Sequence, residues 1–256
     1  MVEIDCTVDG HVHTRLCHHA TGEMEEYVLA GIGCGLRKLV FLEHFEVGIN
    51  YVESTWLTAE DFQYYQAEGE RLREKYRDRI EVGLGIEVGF NPDFIEETIA
   101  FLASYPWDRI GISHHFFHWN GRHYNMVSRK SGNLTVLEQV GVDRVADRYF
   151  STLKTAVEVL PGTVLCHLDA VLRHHPQMKI TRAHEEAMAE ILHLARSKNM
   201  ALEVNTSGYP QRNRPYPDPA QIRVAVELGI PLAAGSDAHR PDQVGRFFDR
   251  LPGLLR

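Results

Sequence analysis

His11 and His13 stand two residues apart, and Asp237 and His239 repeat that spacing near the other end of the chain. On a strand, side chains two apart point to the same side. Each pair can therefore offer two donors to one ion. Between them, Glu43-His44, Glu87, His114-His115, His167 and Asn205 each close a short apolar run. Imidazole and carboxylate together suit zinc, iron and manganese, and a carboxylate can bridge two ions. A ring of such residues predicts a multinuclear metal site. Glu87 closes the apolar, glycine-rich run 80–86. An unpaired carboxylate buried there is expensive, so Glu87 is expected to bridge; the structural alternative is a buried salt bridge. His115 should point away from its neighbour if the strand continues, which favours His114 as the ligand. His184 and His193 fall on a helix, and His123, His174 and His175 in loops or turns; these read as ordinary polar residues. His118 fits either reading.

Strands that end on one rim have to carry these side chains. Short apolar runs at roughly 5–12, 37–43, 80–87, 109–114, 163–168, 200–206 and 231–236 predict seven strands buried on both faces. Helical signals lie between them. Thr58 with Asp61 resembles a capping box opening 58–77. Asn91-Pro92 and Asp218-Pro219 read as helix starts, and 182–198 repeats apolar residues at helical spacing. Repeated βα units imply an α/β chain with a parallel sheet, closed or nearly closed. In such barrels the reactive residues sit at the C-terminal ends of the strands. The long segments 45–57, 115–133 and 207–217 all follow strands, so they should gather on that face. No composition break marks a linker, and residues 1–256 are expected to form a single domain.

Composition narrows the class. The 256 residues are 44% hydrophobic and 24% charged, ordinary for a globular protein, with a formal charge of −8. That charge argues against an extended nucleic-acid track or an anionic membrane as partner. Cys6, Cys17, Cys34 and Cys166 form no C-x-x-C pair and read as free thiols of a reducing compartment. Cys17 and Cys166 flank proposed ligands and read as buried packing residues. The segment Met1–Asp5 lacks a signal-peptide pattern and no apolar run is long enough to span a bilayer, so the cytoplasm is expected.

The motifs in order are Asp9-Gly10-His11-Val12-His13-Thr14 with Cys17-His18-His19, Phe41-Leu42-Glu43-His44, Gly85-Ile86-Glu87 and Gly111-Ile112-Ser113-His114. His167-Leu168-Asp169, Asn205-Thr206-Ser207-Gly208 and Gly235-Ser236-Asp237-Ala238-His239-Arg240 follow. This set resembles the polymerase and histidinol phosphatase (PHP) superfamily, and within it the histidinol-phosphate phosphatases. The resemblance implies a distorted seven-stranded (β/α)7 barrel with two to three divalent ions, zinc, manganese or iron, at the strand ends. It implies a first ion on His11, His13, Glu87 and Asp237, and a second on Glu87, His114 and His167. A third would take His19, or the adjacent His18, with His44 and His239. Relatives often carry Asp where this chain has Glu43.

The chemistry implied is hydrolysis of a small phosphate ester, with L-histidinol phosphate the expected substrate, by a metal-held hydroxide. Glu87 and Asp237 are the candidate catalytic carboxylates; Asp237 or a bound water would protonate the leaving group. Arg173 and Arg240 lead the candidates for phosphate contact, ahead of Arg129, Lys130, Arg212 and Arg214. Phe116, Phe117, Trp119 and Tyr124 could cover a substrate ring or pack as a lid. Two alternatives remain open at this level: a nuclease or phosphodiesterase acting on nucleotides or short oligonucleotides, and a non-catalytic metal-binding domain.

Overall fold

Seven parallel strands form where the apolar runs lie. The computed structural model describes residues 3–254; the first two residues of the segment Met1–Asp5 and the last two of the chain lie outside them. In chain order the elements are β1 (Val8–Val12), α1 (Met24–Gly33), β2 (Lys38–Glu46), α2 (Ala59–Tyr76), β3 (Glu81–Gly89), α3 (Ile95–Leu102) and β4 (Arg109–Ser113). There follow β5 (Phe116–Trp119), β6 (Arg122–Asn125), α4 (Ser131–Val140), α5 (Val142–Val159), β7 (Val164–Leu165) and α6 (Arg182–Ser197). The chain then forms β8 (Ala201–Asn205), α7 (Tyr209–Arg212), α8 (Pro219–Glu227) and β9 (Leu232–Gly235).

The large sheet runs β1-β2-β3-β4-β7-β8-β9, parallel throughout. Its two edges are joined at the rim. Val12 bridges Ala238, the His13 amide donates to Ala238 O at 2.9 Å, and the Asp237 amide donates to His11 O at 2.9 Å. The sheet is thus a nearly closed barrel whose seam is made by the segments carrying His11, His13, Asp237 and His239. β3 is buried from Val82 to Gly89, as expected for a strand covered on both faces. Tyr65 of α2 pins a helix to the barrel: its hydroxyl donates to Gly85 O at 2.8 Å and accepts from Gly85 N at 3.0 Å.

Local chemistry starts the helices as expected. Thr58 accepts from the Asp61 amide, and Asp61 accepts from the Thr58 amide. Asp218 caps α8 ahead of Pro219. Thr181 and His184 make a second capping box, which gives His184 a structural role. Two features differ from the sequence reading. Residues 131–159 hold α4 and α5, a stretch with no expected element; α5 buries Val145, Tyr149, Leu153 and Ala156 on one face. The segment 115–133 is not all loop. β5 and β6 pair antiparallel across Asn120-Gly121, whose φ values of +49° and +75° suit a tight hairpin turn.

Candidate metal centre

Register decides which side chains meet. His44 of β2 pairs with Glu87 of β3, and Glu87 with Gly111 of β4. Laterally paired residues share a face, so His44 and Glu87 both point into the barrel. Alternation from Gly111 then carries His115 inward and His114 outward. His114 Nδ1 lies 2.9 Å from Phe90 O, and its ring lies 5.8 Å from that of Tyr149. The expected placement of His114 is therefore corrected: His115 is the neighbour brought to Glu87, because strand parity runs through Gly111 and continues past the end of β4.

Three groups of nitrogens converge. His11 Nε2 and His13 Nε2 are 2.8 Å apart. They lie 3.4 and 3.6 Å from Glu87 Oε2, and His13 Nε2 is 3.4 Å from Asp237 Oδ1. On the other oxygen, His167 Nε2 and His115 Nε2 lie 2.7 and 3.3 Å from Glu87 Oε1. His19 Nε2 and His239 Nε2 are 2.9 Å apart, with the His44 ring 5.1 and 6.0 Å from theirs. His44 Nδ1 also reaches Glu87 Oε2 at 3.0 Å. His18 turns outward toward Asp61, 3.8 Å away, so His19 is the member of that pair brought to the cluster.

These residues fit divalent cations. Donors about 2.1 Å from a tetrahedral ion lie about 3.4 Å from one another, close to the separations above. Several rings anchor one nitrogen and aim the other inward: His19 Nδ1 is 2.9 Å from Cys17 O, and His239 Nδ1 is 3.1 Å from Asp237 O. Glu87 Oε2, His13 Nδ1 and His167 Nδ1 are buried without a hydrogen-bond partner among the described residues. Buried polar groups left this way are rare unless something else binds them. His167 and Asp237 also hold positive φ, +25° and +50°, a strained conformation that clusters at functional sites.

Electrostatics point the same way. Burial opposes charge on Glu87, but His115, His44 and His11 hold its carboxyl well below the usual range. Burial, with His44 and His239, drops His19 to about 3 and His13 well below its ordinary value. His239 falls to about 4, chiefly through burial. Neutral imidazoles beside ionised carboxylates are the forms that bind metal. His11 and His115 are the exceptions: against burial, Glu203 and Glu87 hold His11 well above its ordinary value, and Glu87 with Glu46 holds His115 at about 10. An ion there displaces a proton from each ring. Burial pushes the Cys17 and Cys166 thiols up, as packing residues should be. Glu43 is pushed up to about 8 by burial and accepts from Thr14 N and Oγ1 at 2.8 and 2.6 Å, which fixes the His11–Thr14 segment.

Sequence reasoning missed several carboxylates that brace the ring. Asp9 accepts from the Ser236 and Gly245 amides, both at 2.9 Å, tying β1 to the segment after β9. Glu46 and Glu203 reach His115 and His11. Glu203 gave the same signal as Glu87, a carboxylate inside an apolar strand.

The cluster opens to a cavity of about 680 Å³ lined by Arg129, Lys130, Arg173 and Arg246 among others. Arg173 borders both this cavity and the space among the ligands. Arg240 does not line either. It is half-exposed and pairs with Asp242 at 3.0 Å, so its expected phosphate contact is corrected: the chain turns at Pro241 and takes the side chain outward. Arg212 is tied to Asp169 at 3.1 Å and lies over the Tyr216 ring, and Arg214 pairs with Asp218 at 2.8 Å. Lys130 pairs with Glu53, whereas Arg129 has no ion pair among the described residues. Phe116 reaches the space among the clustered side chains and packs on Tyr51 and Trp56, while Phe117 joins the core.

Comparison with known proteins supplies the last observations. The PHP domain model matches residues 9–207, and a PHP-associated model matches 221–249. A Deinococcus radiodurans protein named "Probable histidinol-phosphatase" is 29% identical over 249 residues, covering 95% of this chain and 90% of its own. The Bacillus subtilis histidinol-phosphatase is 24% identical over 260 residues, covering 94% and 96%. A Listeria monocytogenes structure superposes with TM-score 0.85 at 24% identity, covering 95% of this chain and 99% of that one. A histidinol phosphate phosphatase from Lactococcus lactis, complexed with zinc, L-histidinol and phosphate, gives TM-score 0.76 at 22% identity, covering 97% and 92%.

Proposed function

The chain belongs to the PHP domain family, and from that premise we propose that it is a metal-dependent phosphomonoesterase hydrolysing L-histidinol phosphate to L-histidinol and phosphate, a step of histidine biosynthesis. The observation that carries this reading is the convergence of three nitrogen groups on Glu87 and Asp237, open to a cavity bordered by Arg173. The names of the Deinococcus and Bacillus relatives support the substrate. So does the zinc, L-histidinol and phosphate complex of the Lactococcus protein.

His11, His13, Glu87 and Asp237 would hold one ion, Glu87, His115 and His167 a second, and His19, His44 and His239 a third. Such ions supply Lewis-acid chemistry: activation of water at neutral pH and neutralisation of phosphoryl charge. Glu87 offers one oxygen to each of two ligand groups, the arrangement a bridge requires. Asp237 is held well below the usual carboxylate range, against burial, by His13, His11 and His239, so it stays ionised, the form a metal ligand needs, and carries no proton of its own for the leaving group. Arg173 binds the phosphoryl oxygens. The Cys17 and Cys166 thiols stay protonated, and Ser207 Oγ is engaged with Asn205 and Asp237. Transfer directly to water, with inversion at phosphorus, needs none of them as nucleophile.

Residues 1–256 are read as one PHP-type domain, since β9 and the Asp237–His239 segment complete the same barrel as β1. None of the described helices is long and apolar enough to cross a membrane, which suits a cytoplasmic enzyme with a small phosphorylated partner. A steady-state screen of phosphate esters tests the substrate. Histidinol phosphate should exceed p-nitrophenyl phosphate in kcat/KM. Equal values would remove the substrate assignment and leave the reaction class, while preference for bis(p-nitrophenyl) phosphate would point to a phosphodiesterase.

A further inference from the structure

Glu46 and Glu203 are buried carboxylates outside the three ligand groups. Glu203 Oε1 lies 2.5 Å from His11 Nδ1, and Glu46 Oε1 lies 2.8 Å from His115 Nδ1. The far nitrogens of both rings turn to one residue: His11 Nε2 is 3.4 Å from Glu87 Oε2, and His115 Nε2 is 3.3 Å from Glu87 Oε1. The same carboxylate–imidazole–Glu87 line thus recurs on both oxygens of Glu87, built from different strands.

Glycine makes room for both outer carboxylates. A Cβ at position 89 would come within 1.9 Å of Glu46 Oε1, and one at position 235 within 2.3 Å of Glu203 Oε1; glycine occupies both. Glu203 Oε2 accepts from the His167 amide at 2.9 Å and from Asn205 Nδ2 at 3.2 Å, so its second oxygen is fixed as well. An ionised carboxylate only accepts hydrogen bonds, and a neutral imidazole carries one ring proton. With an ion on Nε2 each ring keeps a single proton, which must then sit on Nδ1 against its carboxylate.

We propose that Glu46 and Glu203 are positioning residues that hold His115 and His11 as Nδ1–H tautomers, so that Nε2 of each ring serves an ion beside Glu87. This rests on reading the cluster as a metal centre. Backbone carbonyls do the same for His19 and His239. The rings flanking Glu87 have carboxylates instead, which raise ligand basicity as well as orienting the ring.

The test uses full-length protein labelled with 15N-histidine and loaded with zinc. Long-range 15N–1H correlations, assigned by their displacement in Glu46→Gln and Glu203→Gln, should show Nδ1–H with zinc-bound Nε2 on both rings. Zinc competition with a chromophoric chelator gives the second measurement. Glu46→Leu should weaken one ion per chain by about 10- to 100-fold, and Glu46→Gln, which keeps an acceptor, should recover most of that loss. A purely structural role would lower the melting temperature of the zinc-free protein and leave the zinc affinities alike. An inverted tautomer on either ring, or wild-type affinity in Glu46→Leu, overturns the inference while the metal centre stands. Wild-type protein that takes up no zinc takes down both.

Discussion

Arg173 Nη1 lies 3.7 Å from Asp237 Oδ2, and its Nε is buried with no hydrogen-bond partner among the described residues. One carboxylate therefore faces a guanidinium with five donors, at the mouth of the ligand cluster. Arg173→Ala should lower kcat/KM for a phosphate monoester by about 10²- to 10³-fold, the usual cost of losing one preorganised donor to developing charge. Arg173→Lys should restore only part, because an ammonium cannot grip two oxygens in one plane. Arg240→Ala, at a surface pair with Asp242, should stay within about twofold. Steady-state kinetics on the three variants decides it; matching losses for Arg173→Ala and Arg240→Ala would reject the assignment.

His115 and His114 separate metal binding from stability although they are chain neighbours. His115→Ala should cost at least one ion per chain, read by plasma emission, and lower turnover by more than about 10²-fold. His114→Ala should keep its full metal content. It should lose about 1–3 kcal/mol of stability, since it leaves Phe90 O without its partner in a buried place. Metal loss in His114→Ala with retention in His115→Ala would restore the original ligand choice.

The barrel and most of its rim are legible in the sequence because parallel strands buried on both faces write themselves as short apolar runs, and ligands close those runs. His114 and His115 show the limit of that reasoning. Alternation says that the two point to opposite sides, and only the pairing of Glu87 with Gly111 fixes which of them faces inward. The hairpin is legible too: Asn120-Gly121 between Phe116–Trp119 and Arg122–Asn125 is a strong two-residue turn signal. Arg240 was not legible. Its direction depends on where the chain turns at Pro241 after the last ligand, which no spacing encodes.

Glu87 offers Oε2 to His11 and His13 and Oε1 to His115 and His167. Glu87→Gln keeps the shape but replaces one anionic oxygen with an amide nitrogen that cannot ligate. Turnover should fall by more than about 10³-fold, with at least one ion lost per chain and the far-UV circular dichroism unchanged. Full metal content and near-native turnover would rule out the bridging role and leave Glu87 as a buried ion-pair partner.

Acid sensitivity gives a further check that does not involve a ligand. Burial, reinforced by His115, Arg148 and His123 and opposed by Phe90 O, drops His114 to about 4 from an ordinary 6.5. The unfolded chain therefore takes up this proton first as the pH falls. The stability tied to neutral His114 is fully present above about 6.5 and is lost as the pH drops toward 4. Glu43, pushed up to about 8, acts in the opposite sense over the upper part of this range, as do the raised carboxyls of Asp9 and Asp169. Total stability is thus a poor readout, and the difference between wild type and His114→Gln is a good one, because the other groups are common to both. In metal-stripped protein, urea unfolding at pH 6.5, 5.5 and 4.5 should show the wild type losing up to about 1.4 kcal/mol more per pH unit than the variant. Parallel curves would mean that His114 titrates alike folded and unfolded, and hence that it is not buried behind β4.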